Sequence, residues 1–514
     1  MTEQVLRNYA RAGVTALVVL ALFLIGTIGI ESVPPLWWDE GWTLCVARNW
    51  VVLGHYGCLL IGQPAPPILS GHFPVVAPVA LSFYLFGIGV WQARIVGLLF
   101  ALGALSLLYF LTSRLFSHSV AIGTITILLL CPVEWELHPL IIGRQVLGEM
   151  PMLFYLLAGY ACFLHTSENT RLFLPLASVS WGIALMSKAQ VWPFWAISLA
   201  IPLVVSLFMR DWRFARLLTF GFVGSLASFY LLEWTHILLL RGHTVPSPPS
   251  VGLREAVAIV LSLSVRQKAL VFVLLSCLPT LCGLGWATAQ WIVTPARYRV
   301  DTMPELVRLM LLVFCGSWLA WFTLLSVGWH RYAFPALFLA TPFTASLLEH
   351  LYSRVRRSIA GDSTSPGSTR SMPLAQRVSV IVATVLVCIM GLATIQAGYK
   401  FARTPGDQSV QQLVQFVNGA TAPSARVETY ESELLFLLER PYHYPPAQLN
   451  VDFIRKNVHH EPISVDYDPL TADPDYLIVG RWAQWLGLYR RVLRNGTFRL
   501  VKTVGRYQVY ERVR

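Results

Sequence analysis

The chain is poor in charge. Only 13% of its 514 residues are Asp, Glu, Lys or Arg, while 55% are hydrophobic. Soluble domains carry about a quarter charged residues, so a wholly soluble protein is excluded and a polytopic membrane protein takes its place. Lysine is scarce as well: five of the 39 basic residues are Lys and the rest are Arg. The net charge of +12 is spread through loops and not gathered in a stripe. That distribution serves membrane orientation and argues against a nucleic-acid partner. There is no Gly-rich phosphate loop, so a soluble nucleotide donor has no evident site, and there is no internal repeat. The first apolar run lacks a small-residue cleavage site and reads as an anchor. Eight cysteines make no framework. Six lie in or beside apolar runs, where Cys behaves as a small hydrophobe. Cys45 and Cys58 alone could face an oxidising compartment together, although the sequence gives little support for a disulfide there.

What is present is a succession of apolar runs that ends near residue 397. The runs are 12–30, 95–113, 118–137, 150–166, 171–187, 191–209, 215–240, 268–290, 306–327, 332–349 and 378–397. A twelfth stretch, 75–90, is shorter than the roughly 20 residues that a spanning helix needs. The positive-inside rule decides its state. With Arg7 and Arg11 inside and 75–90 re-entrant or interfacial, the loops carrying Arg114, Arg171, Arg210, Arg213, Arg216, Arg297, Arg299 and Arg354–Arg377 all fall on the cytoplasmic side. The expectation is therefore about 11 transmembrane helices over residues 1–398, with an outer loop at 31–94. A soluble extracytoplasmic α/β domain follows at 399–514. In it, helices are expected at 409–418, 432–439 and 482–493, strands at 426–430 and 476–479, and a hairpin at 498–512.

This parity gathers titratable groups at one membrane face, where an unpaired charge is costly and needs a reason. Asp39 and Glu40 follow directly on the first run. Asp39 suits a helix N-cap, and Trp42, Cys45, Val46 and Trp50 then share one face of a helix lying in the interface. Arg144 and Glu149 flank the start of another run, Lys188 ends one, and His330-Arg331-Tyr332 opens one. Glu233 and His236 lie i, i+3 within the 215–240 run, and His243 could join them around a cavity. Each group has a plain alternative: a solvated helix cap, a structural ion pair, a snorkelling lysine, a satisfied polar pair. Two histidines and a glutamate could also hold a divalent cation, but the preferred reading has no metal and no cofactor.

These residues in this order resemble a family. Asp39-Glu40 after the first run, Phe86-Gly87 with Ala93-Arg94, Arg144…Glu149-Met-Pro, Lys188 and His330-Arg331-Tyr332 with Pro335 look like GT-C glycosyltransferases that use polyprenyl-phosphate sugars. The chain is most similar to the branch of protein O-mannosyltransferases and aminoarabinose transferases, over about residues 10–400. The resemblance implies a fold of 11 to 13 spans, with Asp39 as the catalytic acid of the first outer loop and Glu40 as its companion. It further implies that Arg144 and Glu149 form the second outer-loop motif. Taken with the spacing above, Lys188, His330, Arg331 and Arg144 are expected to hold the carrier phosphate, and Glu149, Tyr332, Glu233, His236 and His243 to line the cavity. One departure stands out. The aminoarabinose branch carries an acid-Lys-Pro-Pro pattern where this chain has Ser70-Gly-His-Phe-Pro74, which speaks against a metal site of that type and against that donor.

The chemistry agrees. Attack of a hydroxyl on an anomeric carbon needs a base, for which Asp39 is available. A polyprenyl phosphate leaves readily once Arg and Lys stabilise its charge. One base without a covalent intermediate predicts inversion. The partners would be the lipid bilayer, a polyprenyl-phosphate sugar donor and a glycan, lipid or protein acceptor. A transporter or flippase for lipid-linked sugars is the competing class; it predicts polar residues at mid-bilayer and internal pseudo-symmetry. In the transferase, Glu40→Gln is expected to cost less than Asp39→Asn.

Overall fold

A computed structural model describes residues 17–65, 71–242, 262–293, 301–361, 374–446 and 467–513, with isolated positions between 449 and 462. Every apolar run contains a helix where it is described. The helices before residue 145 are α1 (Leu17–Thr27), α2 (Trp38–Leu53), α3 (Phe73–Phe86), α4 (Val90–Leu115), α5 (His118–Leu130) and α6 (Pro139–Arg144). After them come α7 (Glu149–Leu164), α8 (Thr170–Ser187), α9 (Trp192–Phe208) and α10 (Trp212–Leu240). A bent pair follows, α11 (Leu263–Ser276) and α12 (Leu278–Val293), then α13 (Met303–Leu325), α14 (Phe334–Gly361) and α15 (Leu374–Arg403).

Among the described residues six helices can cross a membrane by length and composition: α4, α8, α9 with the turn before it, α10, α13 and α15. The α11–α12 pair, bent by 78°, adds a seventh if it is one span. That count is below the 11 read from the apolar runs, because an apolar run is not always a long helix. In run 118–137 the helix stops at Leu130, where Pro132 disfavours helical backbone at Cys131. Stretch 75–90 forms α3, 14 residues and too short to span, with Leu81, Tyr84, Leu85 and Phe86 exposed along it. Within the bundle α8 packs between α7 and α10, with α4 on the far side of α7, around the buried rings of Trp181, Trp195 and Trp318.

The tail is an α/β layer. Its strands are β3 (Val427–Thr429), β4 (Tyr442–His443), β5 (Tyr476–Val479), β6 (Phe498–Val504) and β7 (Tyr507–Arg512); β1 (Leu59–Leu60) and β2 (Gln63–Pro64) form a small hairpin in the outer loop. The sheet order is β4-β3-β5-β7-β6, parallel across β4, β3 and β5 and antiparallel thereafter. Strand 476–479, the 498–512 hairpin and the 409–418 helix stand as expected. The expected helix at 432–439 shrinks to one turn of 3-10 helix, Ser432–Leu434.

The outer loop and the tail are not separate bodies. Leu44, Val76 and Phe83 share one buried core with Leu434, Leu477 and Tyr507. This overturns the expectation that α2 lies in the headgroups: its residues Glu40 to Ala47 are buried without a break, which leaves no stripe for lipid. Trp38 Nε1 donates to the Tyr430 carbonyl at 3.0 Å, and the Ser432 hydroxyl donates to the Trp38 carbonyl. Between them Gly41 lets the backbones touch, since a Cβ there would stand 2.1 Å from the Ser432 oxygen. Gly41→Ala should force α2 and the tail apart at a cost of about 1–3 kcal/mol. The expected result is a lower thermal midpoint for the detergent-solubilised protein and faster protease nicking between α15 and the helix Ser409–Ala420. An unchanged midpoint would show that the contact yields without cost.

Candidate active site

Helix α2 starts at Trp38 with Trp37 in the capping position, so Asp39 is not the N-cap that its sequence position suggests. The cap falls to Glu40, whose Oε1 accepts the Trp37 N–H at 2.9 Å. Adjacent helix positions point about 100° apart, and here that turn divides the two acids between two environments.

Glu40 turns inward and is fully buried. Its Oε1 takes Arg94 Nη2 at 2.8 Å, and its Oε2 takes Arg94 Nε at 3.3 Å and the Val146 N–H at 3.0 Å. Arg94, also fully buried, spends Nη1 on the carbonyls of Ile30 (2.9 Å) and Pro34 (2.7 Å). The pair ties the end of α1, the start of α2, α4 and the strap before Glu149 into one hub. Glu40, expected to be catalytic beside Asp39, is thus a sealed structural acid. Arg144, expected on the donor phosphate, is likewise spent: it donates to the carbonyls of Gly26 (3.0 Å), Val33 (2.9 Å) and Ile25 (3.3 Å) and is 3% exposed. It closes the C-terminal end of α1, whose last carbonyls lack helical donors.

Asp39 turns outward, with 38% of its side chain exposed. Its Oδ2 accepts from Trp37 Nε1 at 3.1 Å and from Arg331 Nη2 at 2.8 Å. No hydrogen bond reaches Oδ1 among the described residues. Arg331 also places Nε 3.1 Å from Glu149 Oε1, and Lys188 Nζ reaches the same oxygen at 2.7 Å. Four groups from distant parts of the chain therefore form a charge-balanced chain: Asp39, Arg331, Glu149, Lys188. Three features assemble it. Gly148 lets the strap before α7 approach so closely that a Cβ would stand 2.4 Å from the Ser187 oxygen, which sets Glu149 beside Lys188. Trp318 Nε1 donates to the Tyr332 carbonyl at 2.6 Å, pinning the turn His330–Ala333 to α13. The Glu40–Arg94 hub fixes α2. The Tyr332 ring lies 5.6 Å from Lys188 Nζ and 5.8 Å from the Arg331 guanidinium, so it lines the same place. Burial pushes the Arg331 guanidinium toward release of its proton, but Glu149 and Asp39 outweigh that and raise it further, so it stays charged.

The remaining expected residues diverge. His330 turns away from Arg331: its Nδ1 lies 2.9 Å from Glu134 Oε2 and its ring stacks on Phe272 at 3.9 Å. It is not among the groups around Arg331. Glu233 and His236 are 3.9 Å apart on the last turns of α10, and the His236 ring meets Tyr56 of the outer loop edge-on at 5.7 Å. They belong near the loop end of that helix and not at its middle. His243 lies outside the described residues. Sequence reasoning missed two neighbours. Trp37 is absent from the expected site residues, yet its Nε1 donates to Asp39 Oδ2. His72, at the start of α3, sits near enough to Lys188, His236 and Glu233 to feel their charges; crowding first and Lys188 next lower its pKa. The unusual His in the Ser70–Pro74 stretch was the available signal. Among the described residues no group of three His, Cys, Asp or Glu is arranged to hold a metal ion.

No family model matches the sequence, and no curated protein sequence matches it. Solved structures do. Two crystal structures of ArnT from Cupriavidus metallidurans superpose over nearly the whole chain. The one bound to undecaprenyl phosphate gives a TM-score of 0.58 at 15% identity, covering 98% of each chain. The apo state gives 0.59 at 15% identity, covering 99% of this chain and 98% of that one. The chain has a GT-C fold. An archaeal oligosaccharyltransferase, AglB from Archaeoglobus fulgidus in complex with an inhibitory peptide and a dolichol-phosphate, is more remote: TM-score 0.50, 10% identity, 91% of this chain and 70% of that one. Within the GT-C frame the Asp39 cluster sits where the bundle meets the tail, at the junction of the first outer loop with α7, α8 and α14.

Proposed function

We propose that the chain is an integral membrane glycosyltransferase that moves a sugar from a polyprenyl-phosphate-linked donor to a hydroxyl of an extracytoplasmic acceptor. The observation that carries this reading is the Asp39–Arg331–Glu149–Lys188 chain at one end of a GT-C bundle, with one carboxylate oxygen left open. The ligands of the solved neighbours, undecaprenyl phosphate in one and dolichol-phosphate in another, support the donor class.

In the reaction the acceptor hydroxyl binds Asp39 Oδ1 and gives it its proton as the new oxygen–carbon bond forms. The bond from the anomeric carbon to the carrier phosphate breaks on the opposite side, so the configuration inverts. Negative charge grows on the phosphate. Arg331 remains fully charged, and Lys188 commits one of its three donors to Glu149, so both keep N–H groups to offer. Glu149 spaces these two cations and holds them in place when the donor is absent. No cofactor is needed for such a displacement.

Arg331→Ala should weaken donor binding more than acceptor binding, and Arg331→Lys should restore only part of it, because the planar fork that spans Asp39 and Glu149 is lost. Titration with a polyprenyl-phosphate sugar checks this, and unchanged donor affinity in the Ala variant would remove Arg331 from the donor site. The reading as a whole is tested by comparing envelope glycans and polyprenyl-phosphate sugars in cells with and without the protein. Identical profiles, with no transfer by purified protein across a panel of such donors, would overturn it.

A further inference from the structure

Cys45 and Cys58 meet beneath the tail. Cys45 lies in the second turn of α2 and is 0% exposed; Cys58 immediately precedes β1 and is 2% exposed. The two thiols lie close enough for each to act on the other's ionisation. Asn49, one helical turn beyond Cys45, binds both segments: its Nδ2 donates to the Gly57 carbonyl at 2.9 Å and lies 3.8 Å from Cys45 Sγ. From above, the Tyr442 hydroxyl sits 3.0 Å from Cys45 Sγ, and the Ile61 N–H donates to the Tyr442 carbonyl at 2.7 Å. Two thiols on different segments are thus held together by polar contacts on both sides.

We propose that Cys45 and Cys58 are joined by a disulfide in the folded protein, stapling the helix that carries Asp39 to the β1–β2 hairpin. The inference rests on the extracytoplasmic placement of this loop under the proposed function, since only an oxidising compartment sustains such a bond. The oxidant is a disulfide of the thiol–disulfide exchange class, protein or small molecule. One cysteine thiolate attacks it and forms a mixed disulfide, releasing one thiol; the second thiolate attacks the mixed disulfide and releases the other. Two thiols and one disulfide become one disulfide and two thiols, and the two protons from Cys45 and Cys58 end on the released thiols. Both sulfurs are sealed in the final fold, so exchange precedes closure by Tyr442, and the finished bond is shielded from reductant.

The test uses the full-length protein, purified from membranes in detergent after quenching with N-ethylmaleimide. It is denatured, alkylated and digested without reductant, then read by mass spectrometry. The expected result is a linked peptide pair containing Cys45 and Cys58, about 2 Da lighter than the sum of its free parts, as loss of two hydrogens requires. Reductant should split it, and the other cysteines should appear alkylated. Cys45 and Cys58 both carrying the maleimide would overturn the inference. A transfer assay on the same preparation separates the two claims: free thiols in an active enzyme sink the disulfide alone, while a linked pair in an inactive one leaves it standing.

Discussion

Replacing Asp39 by Asn is expected to lower turnover by about 10²–10⁴-fold, the usual worth of a positioned general base. Asn keeps the size of the side chain and an oxygen that can still accept from Trp37 Nε1 and Arg331 Nη2, the two donors on Oδ2. It loses the ability to take the hydroxyl proton. Helix α2 does not depend on Asp39 for its cap, so the variant should insert and fold as the parent does. Donor binding should be nearly intact, because Glu149 still holds Arg331. Transfer from a polyprenyl-phosphate sugar by the purified variant at more than about a tenth of the parent rate would end the assignment of Asp39 as base.

Glu40→Gln should fail in a different way. Residue spacing alone makes Glu40 the milder of the two acids to neutralise, and the buried pair reverses that for the folded protein. Removing one charge of a fully buried ion pair typically costs about 3–5 kcal/mol, because the partner stays in the interior uncompensated. Here the partner is Arg94, which also holds the carbonyls of Ile30 and Pro34. The expected result is a sharp loss of monodisperse protein in detergent and a large drop in thermal midpoint, in contrast to a normally folded Asp39→Asn. The double variant Glu40→Gln with Arg94→Met should recover much of the loss, since no orphan charge remains. A Glu40→Gln protein with the parent's midpoint would show that water or a neighbour compensates Arg94, and would dismiss the hub as a structural necessity.

The difference between these two acids marks where sequence reading stops. Hydropathy located the long helices of the bundle, because burial in lipid or in a bundle needs the same apolar residues and the count per run is large. It also brought Asp39, Glu149, Lys188 and Arg331 to one end of the molecule, since span parity fixes which loops can meet. It could not tell which acid of an adjacent pair faces inward, because that depends on Arg94, 54 positions away along the chain. Arg144 and His330 were misplaced for the same reason. A cation at a span end can bind a carbonyl, as Arg144 does with Gly26, or an acid such as Glu134, and local sequence does not choose between them. The tail hid its interior even more thoroughly. Glu428, Glu431 and Glu433 carry no local sequence signal of burial, yet all are at most 1% exposed. Tyr467 and Tyr489 serve Glu428, the Trp482 and Ala483 N–H groups serve Glu431, and Tyr507 serves Glu433. Burial, with Glu433 alongside, pushes the Glu431 carboxyl up to about 8.

The core shared by the outer loop and the tail sets a timetable for synthesis. Leu44, Val76 and Phe83 are translated early, but Leu434, Leu477 and Tyr507, which cover them, come after the whole helical bundle. At ~5–20 residues per second the gap is on the order of tens of seconds. Throughout that interval the first loop lacks the tail residues that complete its core in the finished fold. A ribosome that stalls between α15 and β3 would leave a bundle already threaded through the bilayer with α2 uncovered.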